Sequence, residues 1–156
     1  MKFRFVDRIT SWQAHERITG LKAVSFEEYS LKNAFGDAPR LPEILLLECL
    51  LQLGNWLILL STDFQQMGSV IRIHEVQFHG ALRPGRVVQM EVTMLRHHAD
   101  GFELCGEGRV DGQLIISGLG CLAAPLATSN YFDSADLRVL FSEIYQQEQA
   151  SNPCDP

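Results

Sequence analysis

LPEILLLECLLQLGNWLILL, residues 41–60, is almost wholly apolar, and the fold turns on what this stretch forms and what covers it. Pro42 suits the first turn of a helix, where its missing N–H would have had no partner anyway. Leucine dominates, which favours helix over strand. Apolar residues recur nearly all the way round, so the helix is expected to be buried. Four polar residues interrupt it: Glu43, Glu48, Gln52 and Asn55. At about 100° per residue, Glu48, Gln52 and Asn55 stand at i, i+4 and i+7 and share one face. Glu43 points the other way, in the first turn, where a carboxylate suits the helix dipole. A carboxylate in the middle of a buried helix is costly unless it is paired, hydrogen-bonded or lining a cavity. The stripe is therefore the leading candidate site. The plainer reading is a core helix whose Glu48 satisfies some buried donor.

A membrane span is the competing reading, because the stretch is near the lower limit of about 17–25 residues for crossing a bilayer. Glu48 near its centre, no lysine or arginine at its far flank, and strand-like sequence beyond it all argue against a span.

With 156 residues, the chain is expected to be a single domain, residues 1–156, with a core at about 5–124. Hydrophobic residues make up 46% and charged residues 21%, an ordinary globular balance that excludes wholesale disorder. Thirteen basic against 19 acidic residues give a formal charge of -6, and no basic stripe is present, so nucleic acid is not an expected partner. Cys49, Cys105, Cys121 and Cys154 are scattered without CxxC spacing and have no histidine pair at ligand spacing. They read as reduced thiols of a cytoplasmic protein, with no metal and no cofactor. MKFRFVDRIT has no secretory hydrophobic region.

Met1 to Gln13 reads as an amphipathic opening segment, Arg17 to Phe26 as a strand, and Glu27 to Arg40 as a loop marked by Gly36, Asp37 and Pro39. After the helix, Thr62 to Met67 connects to β-type sequence. Val70, Ile73, Val76 and Phe78 form one strand, followed by a turn at Gly80 to Gly85. Arg86 to Arg96 forms another, with Val88, Met90, Val92 and Met94 on one side. Asp100-Gly101 and Asp111-Gly112 read as two-residue turns into Phe102–Val110 and Gln113–Ala123, an antiparallel meander. A helical tail is expected over about 134–149, with Ser134 at its N-cap. The expected class is α+β, an antiparallel sheet of about five or six strands wrapped around one central helix. Helix surface left bare by that sheet calls for a partner, so a homodimer is expected.

Placed in order, these pieces resemble the hotdog-fold 3-hydroxyacyl-acyl-carrier-protein dehydratases from about Phe5 to Ala124. Phe5-Val6-Asp7-Arg8-Ile9 is similar to that family's Leu-Val-Asp-Arg-Ile opening. Pro42 to Gln52, with Glu48 and Gln52 at its end, is similar to the family's Pro-Gly-x-x-x-x-Glu-Ala-x-x-Gln helix. Phe78 and Arg83-Pro84-Gly85 match a strand and Pro-Gly turn, and Asp111-Gly112 the hairpin before the last strand. The resemblance implies a hotdog fold, a dimer, and acyl thioesters of acyl carrier protein or coenzyme A as substrates in fatty-acid or related metabolism. It also implies roles. Glu48 is the carboxylate that assists departure of the 3-hydroxyl, Gln52 is the glutamine that follows it, and the Glu43 amide polarises the thioester carbonyl.

The family's second catalytic group is a histidine in a His-Phe-Pro-Gly loop, contributed across the dimer. In this chain that position is Ala34, followed by Phe35, Gly36 and Asp37, and no histidine lies between Glu16 and Val70. Ala34, Phe35 and Gly36 are thus expected to border the substrate without supplying a base. Asn33 and Asp37, the polar residues there, read as loop formers. His79 is the candidate substitute, ahead of His15, His74 and the pair His97-His98. Arg83, Arg86 and Arg96 are candidates to meet an acidic carrier protein, with an ordinary solvated face the plainer reading for any one of them. Three functions follow from the resemblance. The first is an acyl-thioester-binding, dehydratase-like protein whose dehydratase chemistry is weak, lost, or completed by a dehydratase subunit that supplies the histidine in a heterodimer. The second is a thioesterase using Glu48 alone, with Gln52 or Asn55 orienting water. The third is a non-catalytic subunit.

Overall fold

A computed structural model describes residues 4–27 and 38–146 of the chain. Helix α1 spans Glu43–Ser61. It starts directly after Pro42, whose carbonyl accepts the N–H groups of Leu45 and Leu46 at 2.9 and 3.1 Å. It stops where Thr62 Oγ1 donates to the Ile58 carbonyl at 2.9 Å and accepts the Gln66 N–H at 3.1 Å. Asp63 and Phe64 then turn the chain through left-handed φ angles of 50° and 62°.

Six strands form one antiparallel sheet: β1 Arg8–Gln13, β2 Arg17–Ala23, β3 Gln66–Phe78, β4 Val87–His98, β5 Gly101–Val110 and β6 Gln113–Ala127. Their spatial order is β1-β2-β4-β5-β6-β3, so the strand that follows the helix crosses to the far edge beside β6. The opening segment thus ends in a strand. Residues Asp111 and Gly112 make the expected two-residue hairpin, with φ of 50° and 79°, the positive pair whose twist matches right-twisted strands. The preceding hairpin turns one residue earlier than Asp100-Gly101. His98 already pairs with Gly101, which leaves Ala99 and Asp100 as the loop.

One sheet face is apolar, and α1 lies across it. Val88, Met90, Val92 and Met94 of β4 are buried as the alternation predicts, beside Ile18 of β2 and Phe102 and Leu104 of β5. Against them α1 buries Leu46, Leu50, Leu53 and Leu57. Helix and sheet approach closely at Gly20, where a Cβ would stand 2.8 Å from the Arg8 carbonyl oxygen and 3.0 Å from Leu53. Length and composition would let α1 cross a membrane, but half of it is buried inside the fold. It is the core helix here.

After Thr128–Asn130, a short 3-10 turn, helix α2 runs over Ser134–Ile144. Its N-cap is Asp133 rather than Ser134, with Asp133 Oδ1 accepting the Ala135 N–H at 2.8 Å. A carboxylate both caps and suits the helix dipole. The helix also ends sooner than position 149. Tyr145 bridges in parallel to Ile9, and Gln146 N–H donates to the Ile9 carbonyl at 3.0 Å, which ties the tail to the outer edge of β1. At the opposite end of the sheet, β3 is an edge with no further strand beside it among the described residues.

Candidate active site

The helix periodicity places Glu48, Gln52 and Asn55 together on one α1 face, and Asn55 also borders the crevice between α1 and the sheet. All three line one cleft of about 400 Å³. Gln52 Nε2 donates to Glu48 Oε1 at 3.0 Å, while Gln52 Oε1 accepts the Phe5 N–H at 2.9 Å. Asn55 Oδ1 accepts the Gly68 N–H at 2.8 Å. Gln52 therefore holds the opening segment against the helix and steadies the carboxylate. Asn55 holds the start of β3. Glu48 is half-buried and faces the cleft rather than an enclosed core.

Sequence reasoning missed the rest of the cleft. Trp56 and Leu59, at i+4 and i+7 from Gln52, extend the same helix face with apolar side chains and were legible from that spacing. Met67 comes from β3, Arg4 and Val6 from the opening segment, and Phe132, Leu137, Leu140 and Ile144 from in and around α2. The apolar spacing of 137, 140 and 144 marks an amphipathic helix, yet nothing local says which surface it covers.

The other expected site residues divide. Glu43 is exposed in the first turn of α1, where Pro42 offers no side-chain cap to the leading N–H groups. Ala34, Phe35 and Gly36, with Asn33 and Asp37, lie outside the described residues, as does Cys154. Among the described residues no histidine lines the Glu48 cleft. His79, the expected substitute, sits just past β3 with its Nε2 3.2 Å from Ser117 Oγ. His15 and His97 stack on each other at 4.9 Å near the β1–β2 turn. Arg86 pairs with Asp111 at 2.7 Å and Arg96 with Glu103 at 3.5 Å, all on exposed or half-exposed surface.

Of two resemblance motifs, one ties the opening segment to β2 and the other positions the helix start. Asp7 Oδ2 accepts the Ala23 N–H at 2.7 Å, and its Oδ1 lies 3.5 Å from the Lys22 ammonium, which is buried. The turn at Arg83-Pro84-Gly85 needs its glycine, since Gly85 has φ of 79° and donates to the Val24 carbonyl at 2.8 Å. In the same turn the buried Leu82 accepts the Leu41 N–H at 2.8 Å and so positions the residue just before Pro42. Cys49, on the sheet side of α1, is fully buried, and burial pushes its thiol up to about 12. Among the described residues no cluster of histidine, cysteine or carboxylate side chains is arranged to hold a metal ion.

A sheet wrapped on one long helix is the hotdog arrangement, and solved structures share that fold. The Streptococcus mutans protein smu.793 bound to acetyl CoA superposes with a TM-score of 0.62 at 8% identity, covering 77% of this chain and 88% of that one. A chain of the dehydratase heterocomplex ApeI:P from Xenorhabdus doucetiae gives 0.57 at 17% identity, covering 72% and 92%. In sequence, residues 1–118 match the FabA-like domain family. The 3-hydroxyacyl-acyl-carrier-protein dehydratase FabZ of Oleidesulfovibrio alaskensis is 32% identical over 115 residues, 72% of this chain and 75% of that protein. The chain belongs to the FabA-like family.

Proposed function

We propose that this protein binds acyl thioesters, carried on acyl carrier protein or coenzyme A, in the cleft at Glu48, within cytoplasmic fatty-acid or related acyl-chain metabolism. The observation that carries this reading is the placement of Glu48. The carboxylate of the family's helix motif stands at an apolar cleft, held by Gln52, and an apolar cleft with a few convergent polar groups suits a lipid-like substrate. The first-turn amides of α1, at Glu43, supply a positive end for a thioester carbonyl. Substrate-binding roles for Phe35 and Gly36, beside Ala34, follow the family's loop.

Dehydration takes a base for the proton next to the carbonyl and an acid for the departing hydroxyl. Glu48 meets the second need. Ala34 leaves the first unmet, and no described histidine lines the cleft. A complete dehydratase subunit in a heterodimer would supply the histidine, a reading supported by the existence of a two-component dehydratase complex with this fold. Alone, the chain would pair with itself through the β3 edge. Hydrolysis is the second reading. It is favoured by the same observation, because a carboxylate with an orienting amide and access to solvent can activate water without a histidine.

Isothermal titration of acyl-coenzyme A and acyl-carrier-protein ligands into the purified chain tests the proposal. Saturable binding is expected, and none with either carrier overturns it. In the same samples, enoyl absorbance reports dehydration and free thiol reports hydrolysis. The chain alone is expected to form no enoyl product. Any thiol release is expected to disappear in Glu48→Gln, which keeps the Gln52 hydrogen bond and removes only the charge.

A further inference from the structure

We infer that the acyl chain bound by this protein lies between α1 and the C-terminal helix α2, and that Leu137, Leu140 and Ile144 set the chain length it accepts. This rests on the thioester reading above and adds the location and the limiting wall.

Among the described residues two apolar spaces border α1, and their sizes decide between them. The inner crevice, between α1 and the sheet, is lined by Leu50, Leu51, Gly54, Ile58, Val92 and Leu104 among others, and holds about 40 Å³. That is room for roughly three waters at ~10–15 Å³ each and not for an extended chain. The outer cleft holds about 400 Å³, within the usual range for small-molecule sites. The same cleft contains Glu48, so a thioester reacting there has its chain already in that space. Its polar row offers little that an apolar chain would strand. Glu48 and Gln52 bond to each other, and Gln52 and Asn55 accept backbone N–H groups. Beyond the row, Leu59, Met67 and Phe132 close the far end, and Leu137, Leu140 and Ile144 form the facing wall.

That wall is stiffly mounted. Phe141, next to Leu140, packs edge-on to Trp12 at 6.3 Å, stacks on Tyr145 at 5.1 Å, and meets Trp56 at 6.0 Å and Phe64 at 6.3 Å. It also lies outside the family match, which ends at residue 118, while α2 begins at Ser134. The helix that supplies Glu48 lies within the matched residues, and the wall opposite it lies beyond them. Such a wall acts as a ruler. Affinity rises about fourfold per buried methylene until the chain meets it, then stops rising.

The test is titration calorimetry with saturated acyl-coenzyme A thioesters from acetyl to dodecanoyl, and with free dodecanoate, on wild type, Leu140→Trp and Met67→Trp. Circular dichroism melts establish that each variant is folded, and the two substitutions narrow the cleft from opposite walls. The expected result is an affinity ladder in wild type that either tryptophan shortens, with the loss growing with chain length and reaching about tenfold or more at dodecanoyl. A ladder in wild type that neither folded variant alters overturns the inference and leaves the thioester reading standing. Dodecanoate bound by wild type and lost in the variants, with no thioester bound, supports the cleft and overturns the thioester reading. No binding of either ligand class overturns both.

Discussion

Asn55 accepts the Gly68 N–H at 2.8 Å, and that one bond fixes where β3 leaves the helix. Asn55→Ala strands the donor, so a loss of about 1–3 kcal/mol is expected in urea unfolding. A loss below about 0.5 kcal/mol would mean that water replaces the amide. The same position explains Gly68. A Cβ there would stand 2.6 Å from Ile58 Cδ1 and 3.1 Å from Ala123 Cβ, and the methyl-bearing end of Ile58 must move. Gly68→Ala is expected to cost about 1–3 kcal/mol by overpacking. Cys49 carries a pH prediction. Burial raises its thiol from 9.0 to about 12, against the opposing pull of the Lys22 charge. Because the folded value lies above the unfolded one, its contribution to stability is complete below pH 9 and is lost as pH climbs toward 12. At pH 8 Cys49 is expected to resist a thiol reagent until the chain unfolds, read by mass spectrometry of the labelled peptide. Rapid labelling of the native protein would contradict the burial.

Helix α2 is held by two kinds of contact whose weights differ. Phe141 sits among Trp12, Trp56, Phe64 and Tyr145, whereas Arg138 reaches Asp63 at 2.8 Å across surface where both side chains are largely exposed. An exposed ion pair is worth ~0–1 kcal/mol, and truncating a packed aromatic costs about 3–5 kcal/mol. Phe141→Ala is therefore expected to lower the melting temperature well beyond Arg138→Ala, although Arg138 also lies over the Phe64 ring at 4.5 Å. Equal losses would mean that charge, not packing, fastens the helix. The amphipathic spacing of α2 was readable in the sequence. Its landing place was not, because Phe141 and Trp12 lie far apart along the chain and no local pattern joins them. The cap moved from Ser134 to Asp133 for a local reason, since two adjacent residues both suited the role and one backbone conformation chose between them.

The two ends of the sheet are treated differently. The β1 edge is closed by Tyr145 and Gln146, while β3 remains an edge that carries Val70 and Ile71, exposed like Ile44 at the start of α1. An open edge with apolar side chains is a pairing surface, and a twofold dimer would use it on both copies. Light scattering is expected to report a dimer for wild type and a monomer for the double variant Ile44→Asp, Ile71→Asp. A wild-type monomer at high concentration would remove the self-pairing proposed above and direct attention to a different partner chain.

The sequence alone determined the long helix, the alternating strands, the Asp111-Gly112 turn and the sharing of one helix face by Glu48, Gln52 and Asn55. Each follows from backbone periodicity or from a residue's own φ preference, which act over a few residues. Only the tertiary structure decided the placing of β3 beside β6, with Gln66 opposite Ala127, and the bond from Phe5 to Gln52. It also decided the cover of α2 over the Glu48 face, which turned an expected buried carboxylate into one wall of a cleft. The physical reason is that burial is non-directional. An apolar pattern says how much surface must leave water, and only the packed chain says which element covers it.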